Sequence, residues 1–409
     1  LINQPYLLLL LIIYIILEAS VSDQPSPAEL LQRAIDMQPM LREWASANRE
    51  ARQVLPETIE AFHDAGFFKI IQPAAFGGYE MNPKHFYDVV FEVARACPAS
   101  GWVLSVVGVH SYELGLMDPQ AQQDVWGEDN RALISSSYAP KSKVEVVDGG
   151  YKVSGKWGFS SGSDNCQWFF GGGIIPDQEP ITITAFMFPR SDYEIIDDWH
   201  VTGLQGSGSK SILVEDAFVP SHRTHSMLDG FLCQGKGLAT NTNDIFKLPF
   251  GQVFGRAVSM PSVGATQGAL DAYREYNTNR YSAGIQKVSD NPAAQVAGSE
   301  AASVIRTYRL KMHYAYDTLL GYIARGEEMP AELRTEFRSD QARAVSDCMT
   351  VVQNLLNNSG GSALYQGNTV NAIFQDMQAF RQHAANQSDA TVKNHGSTLF
   401  GVENMDTMS

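Results

Sequence analysis

Residues 144–164 read VEVVDGGYKVSGKWGFSSGSD and mark the place where the chain changes from a helical to a β-rich pattern. Alternating apolar and polar residues flank the turn sequence Asp148-Gly149-Gly150, so the first half of this stretch predicts a β-hairpin. Short β-rich runs continue over 132–219, as in WFFGGGII, ITITAFMFP and SILVEDAFVP. The sequence therefore predicts a β-domain of modest size in the middle of the chain.

Helical patterns occupy both sides of this β-domain. On the N-terminal side apolar residues recur every three or four positions, with Ser26 as a candidate N-cap, Pro27 in the first turn and a second helix stopped by Gly66. Further helices are predicted over 84–96 and 100–116. On the C-terminal side long helical patterns cover 257–279, 293–325, 330–358 and 369–385, and helices of this length suggest a bundle.

We therefore expect a mostly α protein with a central β-domain. The predicted units are a helical N-terminal domain over 22–131, the β-domain over 132–235 and a C-terminal helical bundle over 236–409. This order of helices, strands and helices is unusual, and it narrows the choice of fold more than any single motif.

The first 21 residues do not fit this organisation. Residues 7–17 form an unbroken apolar run, LLLLLIIYIIL, which is shorter than the roughly 20 residues of a membrane-spanning helix. A secretory signal needs basic residues before such a run, and the first Lys or Arg is Arg33. We interpret this hydrophobic extension as an artefact of cloning or of the gene start, with a membrane anchor or a docking segment as alternatives.

Composition excludes several functions. The 409 residues carry 30 Lys and Arg against 45 Asp and Glu, and a net charge of −15 repels nucleic-acid phosphates. Four widely spaced cysteines without a CxxC pair indicate reduced thiols and a cytoplasmic location. The histidines show no metal-ligand spacing, and there is no P-loop, G-x-S-x-G or G-x-G-x-x-G motif. We therefore expect no metal and no nucleic-acid partner.

Two polar clusters border the predicted strands. Residues 155–164, GKWGFSSGSD, combine two aromatic rings with small hydroxyl side chains and glycines. A flat redox cofactor needs such an apolar wall and small donors at its polar edges, although an ordinary turn with core aromatics has the same composition. Residues 135–140, SSSYAP, either cap a loop or line a cleft with hydroxyl groups.

Two histidines in the helical parts of the chain are candidate site residues. Trp102 and His110 lie eight residues apart in the apolar segment GWVLSVVGVHSYELGLM, so both project from about the same side of one predicted helix. His110 is either a core histidine or a neutral pocket base that can deprotonate a substrate hydroxyl. His383 follows Arg381 near the end of a predicted helix, where both side chains can simply complement the helix dipole.

The ordered segments WVLSVVGVHSYEL, SSSYAP, GKWGFSSGSD and FMFPRSDYEIIDDWHVTGLQGSGSKSILVEDAFVP resemble the oxygenase components of two-component flavin-dependent aromatic monooxygenases. This family includes p-hydroxyphenylacetate 3-hydroxylase and the 3-hydroxy-9,10-secoandrostatrienedione hydroxylase. The resemblance runs from about Leu30 to the C-terminus. It implies an acyl-CoA dehydrogenase-like fold with a middle β-barrel, a C-terminal four-helix bundle and a homotetrameric assembly.

The resemblance also implies an activity. Such enzymes take reduced FMN or FAD from a separate NAD(P)H:flavin reductase, form a C4a-hydroperoxyflavin with O2, and hydroxylate a small phenolic substrate ortho to its OH. By the same resemblance, His110 contacts the phenol, Ser136 is a second hydroxyl contact, Ser161 lies near flavin N5 and His383 lies near flavin C4a. The implied cofactor-binding residues are Trp102, Ser137, Trp157, Phe159, Ser160, Ser161, Gly162, Ser163 and Arg280.

The chain departs from the family pattern in places. Ser161-Gly162-Ser163-Asp164-Asn165 stands where relatives often have Ser-Ser-Gly-Cys-Asp-His, and His110 is followed by Ser111-Tyr112. Indole-type and polycyclic aromatic substrates therefore stay open beside simple phenols. The alternative functions are an acyl-CoA dehydrogenase with bound FAD and a non-catalytic flavin-binding relative.

Overall fold

The computed structural model describes residues 24–282, 285–404, 406 and 408–409, so the hydrophobic extension over 1–21 lies outside the described residues. Within the described residues, five α-helices precede the first strand, and they pack against one another and against the C-terminal helices. The N-terminal helices are α1 (Pro27–Ala51), α2 (Pro56–Asp64), α3 (Pro83–Ala96), α4 (Pro98–Leu116) and α5 (Pro119–Trp126).

The predicted start of the first helix is confirmed. The Ser26 side chain accepts a hydrogen bond from the backbone N–H of Glu29, and the Glu29 carboxylate accepts one from the Ser26 N–H. This reciprocal capping satisfies two backbone donors that no helical carbonyl reaches. Helix α2 ends at Asp64, just before Gly66 adopts a left-handed conformation with φ of 80°.

Helix α4 lies at the centre of the molecule. Every residue from Ala99 to Leu116 is buried, as expected for a helix that is apolar on all sides. It packs against α3 and against the C-terminal bundle, and its last turn contacts a cluster that includes Ile134, Phe170 and Met187 of the β-domain. Helix α4 therefore joins all three parts of the protein.

The β-domain consists of two four-stranded sheets. The first has the order β1-β4-β5-β8, with β1 and β4 parallel and the other pairs antiparallel. The second has the antiparallel order β2-β3-β7-β6. The strands are β1 (Ile134–Ser137), β2 (Ser142–Val147), β3 (Gly150–Ser160), β4 (Trp168–Gly173), β5 (Thr184–Pro189), β6 (Glu194–Ile196), β7 (Lys210–Pro220) and β8 (Thr224–Ser226).

The predicted hairpin is confirmed as β2 and β3, which pair from Val147 opposite Gly150 to Ser142 opposite Gly155. A separate apolar core fills this domain, with Val153, Trp157 and Phe186 among its members. Strand β3 continues past the hairpin towards α4 and ends at Ser160. The segment that carries the first polar cluster is thereby placed beside the central helix.

The C-terminal part is the predicted helical bundle. Its elements are α6 (Met227–Leu232), α7 (Phe250–Thr278), the short strands β9 (Tyr281–Ser282) and β10 (Gln286–Lys287), α8 (Pro292–Arg325), α9 (Ala331–Asn357), α10 (Thr369–Gln382) and α11 (Ser388–Thr398). The predicted start of α7 at residue 257 is wrong by seven residues. Gly251 and Gly255 weaken the helical signal there, but both are buried against other parts of the chain.

The N-terminal helices and the bundle share one continuous apolar core. The expected fold class, helical domains on either side of a central β-domain, is therefore confirmed. The expected β-barrel takes the form of two separately paired sheets. None of the helices described here is long and apolar enough to span a membrane.

Replacing Gly264 by Ala tests the close packing of α3 on α7. An added Cβ would lie 2.4 Å from the Phe91 carbonyl oxygen, so the two helices must separate. We expect a loss of about 1–3 kcal/mol of stability, measured by thermal or urea unfolding. Gly298→Ala is the matched control, because its nearest neighbour lies at 3.9 Å and alanine favours the helix. Equal stability of the two variants would contradict the packing.

Candidate functional site

Helix α4 sets the length and direction of the candidate site. Trp102 and His110 are both buried and lie eight residues apart, so about 12 Å of helix separates them. Trp102 faces the end of strand β3, and His110 faces strand β1. Trp102 and His110 therefore mark the two ends of the candidate site on α4.

His110 is held as a neutral base. Its Nδ1 lies 2.6 Å from the carbonyl oxygen of Ile134, and because a carbonyl only accepts, Nδ1 carries the proton. The Nε2 atom is buried and has no partner among the described groups. Burial lowers the pKa of His110, although the charge of Glu113 and the Ile134 carbonyl oppose this effect. The imidazole therefore presents an unprotonated Nε2 at neutral pH.

The loop after β3 lies on the other end of the site. The Ser161 hydroxyl accepts a hydrogen bond of 2.9 Å from Trp102 Nε1 and lies 2.7 Å from the Ser209 hydroxyl. Gly162 has φ of 71°, and a Cβ there would come within 2.9 Å of Val103 on α4. Only glycine allows the loop to approach the helix this closely.

Two hydroxyl groups of the same loop are buried without a partner. They are the Oγ atoms of Ser160 and Ser163. Buried polar groups are normally hydrogen-bonded, so these two unpaired hydroxyls are available to a ligand with polar edges. The isoalloxazine ring of a flavin has such edges, and the residues present fit it.

His383 forms the third corner of the site at the end of α10. Its Nδ1 accepts the backbone N–H of Ala385 at 3.2 Å, so the neutral ring carries its proton on Nε2. Burial, with a smaller contribution from the Arg338 charge, lowers the pKa of His383 to about 4. The ring packs edge-on against Trp102 at 5.7 Å and near Phe254 at 6.3 Å. His383 therefore offers a donor, whereas His110 offers an acceptor.

Tyr138 completes the connection between the two histidines. Its ring lies 6.3 Å from His110 and 5.5 Å from Phe254, which in turn contacts His383. Ser136 lies close to the Tyr138 hydroxyl. The structure thus brings together Ser161, Trp102, His383, Phe254, Tyr138 and His110 as one series of contacts.

Three residues of this site were not singled out from the sequence: Glu113, Phe254 and His225. Glu113 is fully buried, and its carboxylate accepts the Tyr138 hydroxyl and lies 3.1 Å from His225 Nδ1. It is the one carboxylate of helix α4, so its position in an otherwise apolar segment was a usable signal. His225 lies 112 residues away from Glu113 and gave no such signal.

Several predicted residues lie elsewhere. Trp157 is fully buried in the β-domain core, where its Nε1 donates to the Gly172 carbonyl, so it supports the sheets and its ring does not face the site. Phe159 is 72% exposed and packs edge-on against Trp199. The Ser137 hydroxyl is committed to the Gly158 carbonyl at 2.8 Å.

Arg280 is also remote from this group within one protomer. It follows the C-terminal end of α7 and bonds to Asn277, whereas Phe254 lies near the N-terminal end. The rise of the helix puts roughly 35 Å between these two positions.

Other features of the described chain do not compete with this site. An open groove on the β-domain surface, lined by residues such as Tyr193, Leu213 and Phe218, contains none of the candidate residues. Across the described residues no group of three or more His, Cys, Asp or Glu could hold a metal ion. All four cysteines are free.

Comparisons with known proteins identify the family and the fold of the chain. Residues 28–126 match the family model "Acyl-CoA dehydrogenase, N-terminal domain", and residues 257–388 match "Acyl-CoA dehydrogenase, C-terminal domain". The chain is 39% identical to the flavin-dependent monooxygenase oxygenase subunit HsaA of Rhodococcus jostii, over 92% of this chain and 100% of the relative. It is 32% identical to the FADH(2)-dependent resorcinol hydroxylase oxygenase component of a Rhizobium species, over 93% and 98% of the two chains.

A solved structure shows the same arrangement of the chain. The crystal structure of 3-HSA hydroxylase from Rhodococcus sp. RHA1 superposes with a TM-score of 0.88 and 38% sequence identity. The match covers 93% of this chain and 99% of that one.

The low pKa of His383 predicts a loss of stability in acid. Unfolding restores its pKa to about 6.5, so the unfolded chain binds a proton that the folded chain rejects as the pH falls from 6.5 to 4. We expect His383→Gln to reduce the loss of stability between pH 7 and pH 5 by about 2 kcal/mol, measured by urea unfolding.

His63 provides the matched control for this prediction. Burial, with a smaller contribution from Arg131, lowers its pKa to about 4 as well, but it packs against Phe68 away from the site. His63→Gln should flatten the pH dependence of stability to a similar extent and leave the activity intact. An unchanged pH dependence in His383→Gln would contradict a neutral His383 whose pKa is lowered in the folded protein.

Proposed function

Because the chain belongs to the family of flavin-dependent monooxygenase oxygenase subunits with the acyl-CoA dehydrogenase fold, we propose that it hydroxylates a small phenolic substrate ortho to its OH. The observation that carries this proposal is the buried His110 Nε2, an unpaired acceptor on a ring that packs edge-on against Tyr138 and Phe170. Reduced FMN or FAD, when bound, reacts with O2 and supplies the oxygen atom that is transferred.

The residues of the β3 loop would hold the flavin. Ser160 and Ser163 have unpaired hydroxyls for its polar edges, and the ring of Trp102 offers an aromatic surface. Ser161 is fixed between Trp102 and Ser209, so its hydroxyl cannot turn freely. Because Ser160, Ser161 and Ser163 are buried, this loop would keep water away, which would otherwise release the activated oxygen as peroxide.

His110 and Ser136 would bind the substrate hydroxyl. His110 Nε2 accepts the phenolic proton, and the resulting phenolate is a better nucleophile at its ortho carbon. His383, whose Nε2 carries a proton, can donate to an oxygen atom on the flavin side of the pocket. Phe170 and Phe254 provide apolar walls, which suit an aromatic substrate.

The finer features of the proposal concern partners. Oxygenase components act with a separate NAD(P)H:flavin reductase, and we include that partner here. The four free thiols support a cytoplasmic location.

We also propose a homotetramer formed through the C-terminal bundle, supported by the exposed side chains of Leu310 and Tyr314 on α8. Only a second protomer could then bring Arg280 to a flavin. Sedimentation of wild type and Leu310→Asp tests this, since a tetramer that persists unchanged in Leu310→Asp contradicts the interface.

Product analysis tests the proposed activity. The protein is supplied with chemically reduced FMN or FAD, ¹⁸O2 and a panel of phenols and indoles, without a reductase. We expect a catechol that contains one ¹⁸O atom, and His110→Asn should lower its rate of formation by about 10²–10⁴-fold. Asn preserves a polar side chain, and reduced-flavin affinity serves as the control for correct folding.

Absence of labelled product from every compound would contradict the proposal. Tightly bound FAD together with oxidation of an acyl-CoA would instead support the dehydrogenase alternative. Binding of reduced flavin without any turnover would support the non-catalytic alternative.

A further inference from the structure

Glu113 is an unusual residue for the position it occupies. It is 0% exposed in an apolar helix, and a buried carboxylate is unfavourable unless its oxygens are hydrogen-bonded. One oxygen accepts the Tyr138 hydroxyl, and the other lies 3.1 Å from His225 Nδ1. Tyr138 follows β1 and His225 lies on β8, the two edge strands of the same sheet. The carboxylate therefore connects α4 to both edges of that sheet.

Both partners of Glu113 are donors. Burial, and then the neighbouring Glu113 charge, raise the pKa of Tyr138 well above its usual value, so the phenol keeps its proton and donates it. His225 donates from Nδ1, since a carboxylate oxygen only accepts. Two donors stabilise the charged form of the carboxylate in this buried position.

The charge on Glu113 lies beside His110. The two residues are three positions apart on one helix, which places their side chains next to each other, about 5–6 Å apart at Cβ. The titratable groups that face this pair are Tyr138 from the β1 side, His225 from β8 and, beyond Phe254, His383 from α10. Glu113 is the one member of this group that supplies negative charge to His110.

We propose that Glu113 enables the buried His110 to act as a base, by stabilising the imidazolium that forms when His110 takes the substrate's hydroxyl proton. This inference rests on the proposed function. In that step the phenol O–H bond breaks, its electron pair stays on the oxygen as phenolate, and a new N–H bond forms at His110 Nε2. The proton on His110 Nδ1 stays hydrogen-bonded to the Ile134 carbonyl, because a carbonyl oxygen is too weak a base to remove it. The positive charge therefore stays on the imidazole ring, next to Glu113.

Glu113 is thus a positioning residue that acts through His110. Without its charge, His110 would still be placed correctly but would be a weaker base. Weakly acidic phenols would then react more slowly, whereas strongly acidic phenols, which need little help to ionise, would be affected least. If Glu113 only supported the packing of the site, its loss would slow the reaction of all phenols to the same extent. The dependence on phenol acidity therefore separates an electrostatic role of Glu113 from a structural one.

The test uses the full chain with reduced flavin in single-turnover reactions. Phenol, 4-chlorophenol, 4-cyanophenol and 4-nitrophenol form a series of increasing acidity. For Glu113→Gln we expect a rate roughly three- to tenfold lower than wild type with phenol, and a loss below about twofold with 4-nitrophenol. The dissociation constants of the phenols should stay within about twofold of wild type, because Gln retains the size of the side chain.

Three further variants complete the design. Glu113→Asp keeps the charge and should recover most of the rate with phenol. Glu128→Gln removes an exposed carboxylate just after α5 and should leave all rates unchanged. Combined with His110→Asn, Glu113→Gln should have no additional effect, because the residue through which it acts is absent.

Each outcome decides between the claims. An equal loss for all four phenols, or an additional loss in the His110→Asn background, overturns the inference while wild-type turnover still supports the proposed function. If wild type hydroxylates none of the phenols, the proposed function is wrong and this inference fails with it. Should Glu113→Gln not fold, Tyr138→Phe removes one donor to the carboxylate, and the same acidity-dependent loss, only smaller, is required.

Discussion

The complete burial of helix α4 is the constraint on which the rest of the structure depends. A polar side chain on such a helix must find its partner on another element, because water cannot reach it. The Ser105 hydroxyl donates to the Ala257 carbonyl, and the Tyr112 hydroxyl donates to the Leu248 carbonyl. These bonds hold the start of the C-terminal bundle against α4, while Glu113 holds the β-domain. His110 is the exception, since one of its two nitrogens is left unpaired.

This arrangement gives the site its chemistry. The two histidines on either side of Phe254 and Tyr138 have opposite tautomers, each fixed by one backbone group: Ile134 for His110 and Ala385 for His383. A proton can therefore be accepted at one end and donated at the other without any ring rotation. Because both histidines are neutral and the walls are aromatic, the pocket suits an uncharged, flat substrate.

Much of the fold follows from local sequence. The Ser26 cap, the turn at Asp148-Gly149-Gly150 and the long apolar periodicities each act over a few residues, and each was predictable. Which residues of a strand are buried and which are exposed was harder to predict. Alternation places Trp157 and Phe159 on one face of β3, but a register shift between Trp157 and Ser160 buries the first and exposes the second. Phe159 has φ of 66° at this irregularity.

The site was only partly predictable, because some of its contacts join residues that are far apart in the sequence. His110, Ser161 and His383 occur in recognisable segments, and the structure brings them into one series of contacts. Whether they act as assigned stays a prediction. The pairing of Glu113 with Tyr138 and His225 depends on how α4 crosses the sheet, and no local pattern encodes a contact between residues 112 positions apart. Such contacts appear only once the tertiary structure is known.

The most direct test of the account is the reaction of the flavin-loaded protein with oxygen. The protein is loaded anaerobically with reduced FMN or FAD and mixed with O2 in a stopped-flow spectrometer. The account predicts an absorbing oxygenated species that persists longer than the oxidation of free flavin and decays faster, with formation of product, when a phenol is present. Oxidation of the flavin at the rate seen in free solution, with no such species, would contradict it.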